Sequence, residues 1–225
     1  MRSKKEALLL FRERGYDPRL VVDIGVATGT EGLYEVWPEA HHVLVEALAK
    51  FQDDLARLKS AMPSCETLVA LAGRAPGQAE IAFAPEHVHM HAHATASKAP
   101  ADWTRVVVPI TTVDAIVSHR APITPDTRIA LKVDVDGAEL DVLEGSRATL
   151  SCDCVVVIEA ALLDERVSRF GRIVNFMTAH GYEVFDILEP MRRAGDDFLW
   201  QVDLVFAKRD SLVRSSIEYG HPILP

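Results

Sequence analysis

Residues 19–46 read RLVVDIGVATGTEGLYEVWPEAHHVLVE. An apolar run from Arg19 to Ile24 stops at Gly25. Thr30 to Trp37 then has helical character and is closed by Pro38. A second apolar run, His42 to Glu46, ends on an acid. Strand, glycine turn, helix and strand in 28 residues form a βαβ unit, which calls for a parallel sheet with helices packed on it. The same rhythm extends in both directions. Upstream, residues 4–14 form an amphipathic helix ending at Gly15. Downstream, helical segments are expected at Ala47–Ala61, Val113–Ser118, Ala138–Leu150 and 167–180. Strands are expected at Glu66–Ala72, Gln78–Ala84, Arg105–Thr111, Arg128–Val135, Val155–Ala160, Glu183–Leu188 and Gln201–Lys208. Runs such as Val155-Val-Val-Ile-Glu-Ala160 are almost wholly apolar, as strands buried on both faces must be. Trp37, Trp103 and Trp200 read as packing residues.

The composition agrees with one α/β domain over residues 1–225, with an N-terminal helix in 1–18, a His-rich loop at 85–104 over the site and a tail at 211–225. Hydrophobic residues make up 48% and charged residues 25%, so collagen, coiled coil and long disorder are excluded. Lys plus Arg number 24 and Asp plus Glu 33, a net charge of −9; a chain so acidic is a poor general binder of phosphate backbones. Cys65 stands alone and Cys152-Asp-Cys154 lacks the second pair that a zinc site needs. These are ordinary thiols, expected in a reducing, cytoplasmic setting. The apolar run near the N-terminus is too short for a signal peptide or a membrane span.

Ligands of such sheets bind beyond the carboxyl ends of the strands, where strand order reverses. Four apolar strands end in acids there: Asp23, Glu46, the pair Asp134 and Asp136, and Glu159. The first turn carries Gly25-x₃-Gly29. Position 27 is Ala, so the G-x-G-x-x-G of dinucleotide folds is absent. A short-chain dehydrogenase needs glycine at 31, which is Glu31, and a Tyr followed four residues later by Lys. Tyr16, Tyr34, Tyr182 and Tyr219 are followed there by Leu20, Pro38, Asp186 and Ile223. No Gly-Lys pair exists to form a P-loop. D-x-G-x-x-x-G with an acid ending strand two suits S-adenosylmethionine: the acid can accept ribose hydroxyls, and an acidic crevice attracts a cation and repels a pyrophosphate. A nucleotide-dependent oxidoreductase and a non-catalytic cofactor-binding module are the rival readings.

The segment Leu131-Lys-Val-Asp-Val-Asp-Gly-Ala-Glu-Leu-Asp-Val-Leu-Glu-Gly-Ser146 resembles the signature of FkbM-type methyltransferases, and VVDIGVATG, VLVEA and VVVIEA agree in order. The resemblance covers roughly Val21 to Ala207. It implies a class I methyltransferase (Rossmann-like) fold, a seven-stranded mostly parallel sheet of order 3-2-1-4-5-7-6 with helices on both faces. It also implies methyl transfer from S-adenosylmethionine to a hydroxyl of a sugar or secondary metabolite. Asp23, Gly25, Thr28, Gly29, Glu46, Leu71, Ala72 and Asp134 fall at cofactor positions. Asp134 and Asp136 fall near the methyl group.

An alcohol also needs a proton acceptor. Asp134 and Asp136 are candidates. The stretch with His87, His89, His91 and His93 supplies others, His91 or His93 being nearest. Alternatively a metal ion acidifies the hydroxyl, with Asp134, Asp136 and Glu159 as oxygen ligands for Mg²⁺. Lys132, in a central strand, needs an acidic partner, Asp23 or Glu159. Asp114 reads as a helix cap. The expected partner is a small hydroxyl-bearing molecule. Nucleic acid and membrane are not expected, and association into a homo-oligomer stays open.

Overall fold

The computed structural model describes residues 2–83, 100–162 and 168–214. Within them the strands are β1 Leu20–Ile24, β2 His41–Glu46, β3 Cys65–Val69, β4 Leu71–Ala72, β5 Gly77–Phe83, β6 Thr104–Thr111, β7 Arg128–Val133, β8 Asp153–Ala161, β9 Tyr182–Arg192 and β10 Leu199–Lys208. The helices are α1 Lys4–Glu13, α2 Glu31–Val36, α3 Gln52–Ala61, α4 Val113–Ser118, α5 Glu139–Glu144 and α6 Arg169–Ala179.

Seven strands form one sheet in the order β3-β2-β1-β7-β8-β10-β9. Counted along the chain within that sheet, this is 3-2-1-4-5-7-6. The pairs from β3 to β8 are parallel, and β10 runs antiparallel to both β8 and β9. Strand order reverses between β1 and β7, which places the ligand crevice at their carboxyl ends.

Side-chain alternation divides the core in two. Leu20, Val22 and Ile24 of β1 pack with Val113 and Ile116 of α4, Val142 of α5 and Met177 of α6. Val21 points to the other face and joins Leu8 and Phe11 of α1, Leu33 of α2 and Leu55 of α3. Every residue of β1 is buried, so both faces are covered, as the near-continuous apolar strands require.

The helix foreseen from Ala47 begins at Gln52 after a 3₁₀ turn at Ala49–Phe51, and the strand foreseen over Glu183–Leu188 runs from Tyr182 to Arg192. Four further expectations change. The strand foreseen at Glu66–Ala72 is two strands, because the chain leaves the main sheet after Val69. Leu71–Ala72 instead pairs with β6, and β5 completes a second sheet of order β4-β6-β5. The helix foreseen over Ala138–Leu150 stops at Glu144, followed by a short 3₁₀ turn at Thr149–Ser151. Thr112 rather than Asp114 caps α4, accepting from the Ala115 N–H; Asp114 instead accepts from the N–H groups of Ala148 and Thr149. Trp37 is buried as foreseen, whereas Trp200 lines the crevice.

Candidate functional site

A cleft of about 470 Å³ opens at the carboxyl ends of β1, β2, β7 and β8. Gly25 shapes its floor. Its φ is +80°, and a Cβ there would lie 1.7 Å from the Asp134 carbonyl oxygen, so only glycine lets the first turn press against the end of β7. The strand ends are tied by Gly25 N–H donating to Val45 O at 2.9 Å and Asp134 N–H donating to Ile24 O at 3.0 Å.

Glu46, 7% exposed, ends β2 inside this cleft. One carboxylate oxygen accepts from the Ala27 N–H at 2.9 Å, the other from the Leu48 N–H at 2.8 Å. These bonds hold the group rigidly, and with about four acceptor sites the carboxylate keeps capacity for a ligand. Burial pushes its pKa up, and the N–H groups of Leu48, Ala27 and Ala47 and the charge of Lys132 work against that. Leu48, Phe51, Leu71, Ala72 and Ile81 form an apolar wall nearby. The second sheet supplies three of these, so the split of the foreseen third strand builds part of the site.

Asp23 does not line the cleft, in contrast to its expected role as a cofactor contact. It is wholly buried, with Tyr34 Oη donating to Oδ2 at 2.5 Å and Lys132 Nζ lying 3.4 Å from Oδ1. Lys132 also lies 3.1 Å from Asp134 Oδ2 and donates to Gly25 O at 3.3 Å. Burial disfavours its charge, but Asp23 and Asp134 outweigh that and raise its pKa. Its partners are therefore Asp23, one of the two foreseen, and Asp134 rather than Glu159. Asp23 and Lys132 together brace the turn from beneath. Thr28 and Gly29 line an adjoining lobe of about 370 Å³, which shares Gly25, Ala27 and Asp134 with the first.

Asp134, Asp136 and Glu159 all line the first lobe. Glu159 Oε2 accepts from Gln201 Nε2 at 2.6 Å. Its pKa is pushed up to about 8 by burial, then by the charges of Asp134 and Asp136. Among the described residues no three His, Cys, Asp or Glu side chains are placed to hold a metal ion. Asp134 is turned to Lys132, and Glu159 is turned to Gln201 and holds its proton to about pH 8. His91 and His93, with the rest of the His-rich stretch up to residue 99, lie outside the described residues, as does the tail beyond residue 214.

Sequence reading missed Phe51, Ile81, Met191, Trp200 and Gln201 as cleft residues. For the last two a signal existed. In the order 3-2-1-4-5-7-6 the final strand is antiparallel, so its first residues, not its last, lie at the cleft end of the sheet.

The sequence model of the methyltransferase FkbM domain matches residues 23–184. No protein of curated function matches the chain. Among solved structures, the precorrin-6y C5,15-methyltransferase of Geobacter metallireducens is 14% identical, with 90% of this chain and 86% of that one covered at a TM-score of 0.49. The 1,6-didemethyltoxoflavin-N1-methyltransferase of Burkholderia thailandensis, solved with S-adenosylhomocysteine, is 12% identical over 92% and 78%, also at 0.49. The magnesium protoporphyrin IX methyltransferase of Synechocystis is 10% identical over 91% and 77%, at 0.47. Likeness at this level has no bearing on the acceptor.

Proposed function

Because the chain belongs to the FkbM methyltransferase family, we propose that it moves the methyl group of S-adenosylmethionine to a hydroxyl of a small molecule, a sugar or secondary metabolite. The observation that carries this is Glu46, fixed by backbone N–H groups at the edge of an apolar-walled cleft, where its carboxylate would accept from the ribose. Leu48, Phe51, Leu71, Ala72 and Ile81 would enclose the adenine, and Asp134 would face the ammonium. Bound there, the cofactor supplies a methyl carbon already activated by its sulfonium. The protein's share is alignment and proton removal.

Proton removal falls to Glu159. Asp134 is neutralised by Lys132, whereas Glu159 is fixed by Gln201 beside Met191 and Trp200, which would hold the acceptor's body. A carboxylate with a pKa of about 8 is, once ionised, a stronger base than an ordinary one, so turnover should rise as the pH approaches 8. A cytoplasmic setting belongs to the same reading and rests on three free thiols, two of them buried. No helix among the described residues is long and apolar enough to cross a membrane.

Thermal melting tests the proposal. S-adenosylmethionine and S-adenosylhomocysteine should each raise the Tm, since a ligand at a hundred times its Kd adds about 2.7 kcal/mol. NAD and NADP should not. Glu46→Gln should weaken both productive ligands about tenfold, the value of one hydrogen bond to a charged group. A wild-type chain whose Tm ignores both sulfur nucleosides would refute the assignment.

A further inference from the structure

The two lobes differ in charge. The first carries Glu46, Asp134, Asp136 and Glu159 and is lined by no Lys or Arg among the described residues. The second is lined by Lys4, Lys5 and Lys132 against Glu31, Asp134 and Glu189. An all-acidic pocket suits a cation, whereas three charges of each sign suit a zwitterion. The amino-acid end of S-adenosylmethionine is one, with an ammonium and a carboxylate on the same carbon.

Two of those lysines come from α1, which lies outside the matched residues 23–184. Its cap and its packing fix its position. Ser3 starts the helix with a capping box: its Oγ accepts from the Glu6 N–H at 3.2 Å, and its own N–H donates to Glu6 Oε2 at 2.7 Å. Ala7, Leu8 and Phe11, all 0% exposed, join Leu33 and Val36 of α2 in one cluster. Arg12 Nη1 donates to Val36 O at 2.7 Å. The helix is thereby seated on the element that follows the glycine turn, with its first turn at the lobe.

Lys4 is the lysine best placed. Its side chain is 15% exposed, and its Nζ lies 2.8 Å from Asp203 Oδ2 and 3.4 Å from Glu189 Oε2. An ammonium has three protons, so two such partners leave one for a ligand. Burial acts against its charge, and Asp203 keeps it protonated. Lys132 is already engaged by Asp23, Asp134 and Gly25 O, and Lys5 is half exposed beside Glu35.

Resting on the methyl-transfer reading, we infer that the first turn of α1 completes the cofactor site, with Lys4 receiving the carboxylate of the methionyl end while Asp134 receives its ammonium. Titration calorimetry with S-adenosylmethionine and with its decarboxylated form, which keeps both cationic groups, isolates this contact. The wild type should bind the decarboxylated form about tenfold more weakly, the value of one charged hydrogen bond. Lys4→Gln combined with Asp203→Asn removes the cation without stranding a buried carboxylate. That variant should lose about tenfold for S-adenosylmethionine and less than about twofold for the decarboxylated form, and Lys4→Arg should restore most of the difference. Equal wild-type affinity for the two ligands would overturn the inference without any variant, as would equal losses for both ligands in the double variant. If the wild type binds neither, the cofactor assignment itself has failed.

Discussion

Glu159 shows how a residue's surroundings decide its chemistry. The sequence identified it as a site acid at a strand end and suggested a metal ligand. Its burial and the charges of Asp134 and Asp136 raise its pKa, and the bond from Gln201 fixes its carboxyl group. None of these lies near it in sequence, which is why the role was not legible there. The consequence for stability has a definite sign. In the unfolded chain the group titrates near 4.5, and in the fold near 8. Between those values the folded state binds the proton that the unfolded state has released, so folding stability falls as pH rises through this window and then levels off. Glu159→Gln removes the titration and keeps an oxygen for Gln201. Relative to wild type, the variant's Tm should rise from pH 5 to pH 9 by about 8–16 °C, since the roughly three pH units of that window below the folded pKa amount to about 4 kcal/mol in a chain of this size. Parallel Tm–pH curves for the two proteins would show that Glu159 carries no raised pKa.

Elements were easier to foresee than their ends. The βαβ rhythm from Arg19 to Glu46 predicted β1, α2 and β2 within a residue or two, because apolar runs, Gly25 and Pro38 are local signals. The helix foreseen to Leu150 stops early for a reason that is not local. A Cβ on Gly145 would lie 2.0 Å from the Gly73 carbonyl oxygen and 3.3 Å from Thr112 Cβ, and the Gly145 carbonyl accepts from the Asp114 N–H at 3.0 Å. Helix α5 ends where it must meet two other segments, one of them the turn that follows Leu71 and Ala72 on the cleft wall. Gly145→Ala should therefore cost about 1–3 kcal/mol through overpacking. Gly171 in α6 is the control: a Cβ there meets nothing within 4 Å, so Gly171→Ala should stabilise by about 0.5–1 kcal/mol through helix propensity. Urea melts of the two variants read both signs. A Gly145→Ala chain as stable as wild type would mean that α5 and the Gly73 turn are not packed as described.

At the scale of the whole molecule the acidic excess becomes a field with a direction. The net charge of −9 argued at first only against nucleic acid. The fold gathers Glu46, Asp134, Asp136 and Glu159 into one lobe, and the sequence allowed that gathering to be read, since strand ends of a parallel sheet share one edge. It hid the balancing lysines, because Lys4 reaches the site only through the packing of α1 on α2. Such a cleft should treat cofactor and product differently. S-adenosylmethionine carries a sulfonium that S-adenosylhomocysteine lacks, while their amino-acid ends are the same and meet the balanced lobe equally. The acidic lobe and the chain's overall charge then favour the cofactor by a term that salt screens. The screening length shrinks from about 30 Å at 0.01 M to about 8 Å at 0.15 M. Across that range the affinity for S-adenosylmethionine should fall roughly three- to fivefold, and that for S-adenosylhomocysteine less than about twofold. Calorimetric titrations of both ligands at the two salt concentrations measure the difference. Equal salt dependence would show that the sulfonium does not sit in the acidic lobe and that the two lobes have been assigned to the wrong ends of the cofactor.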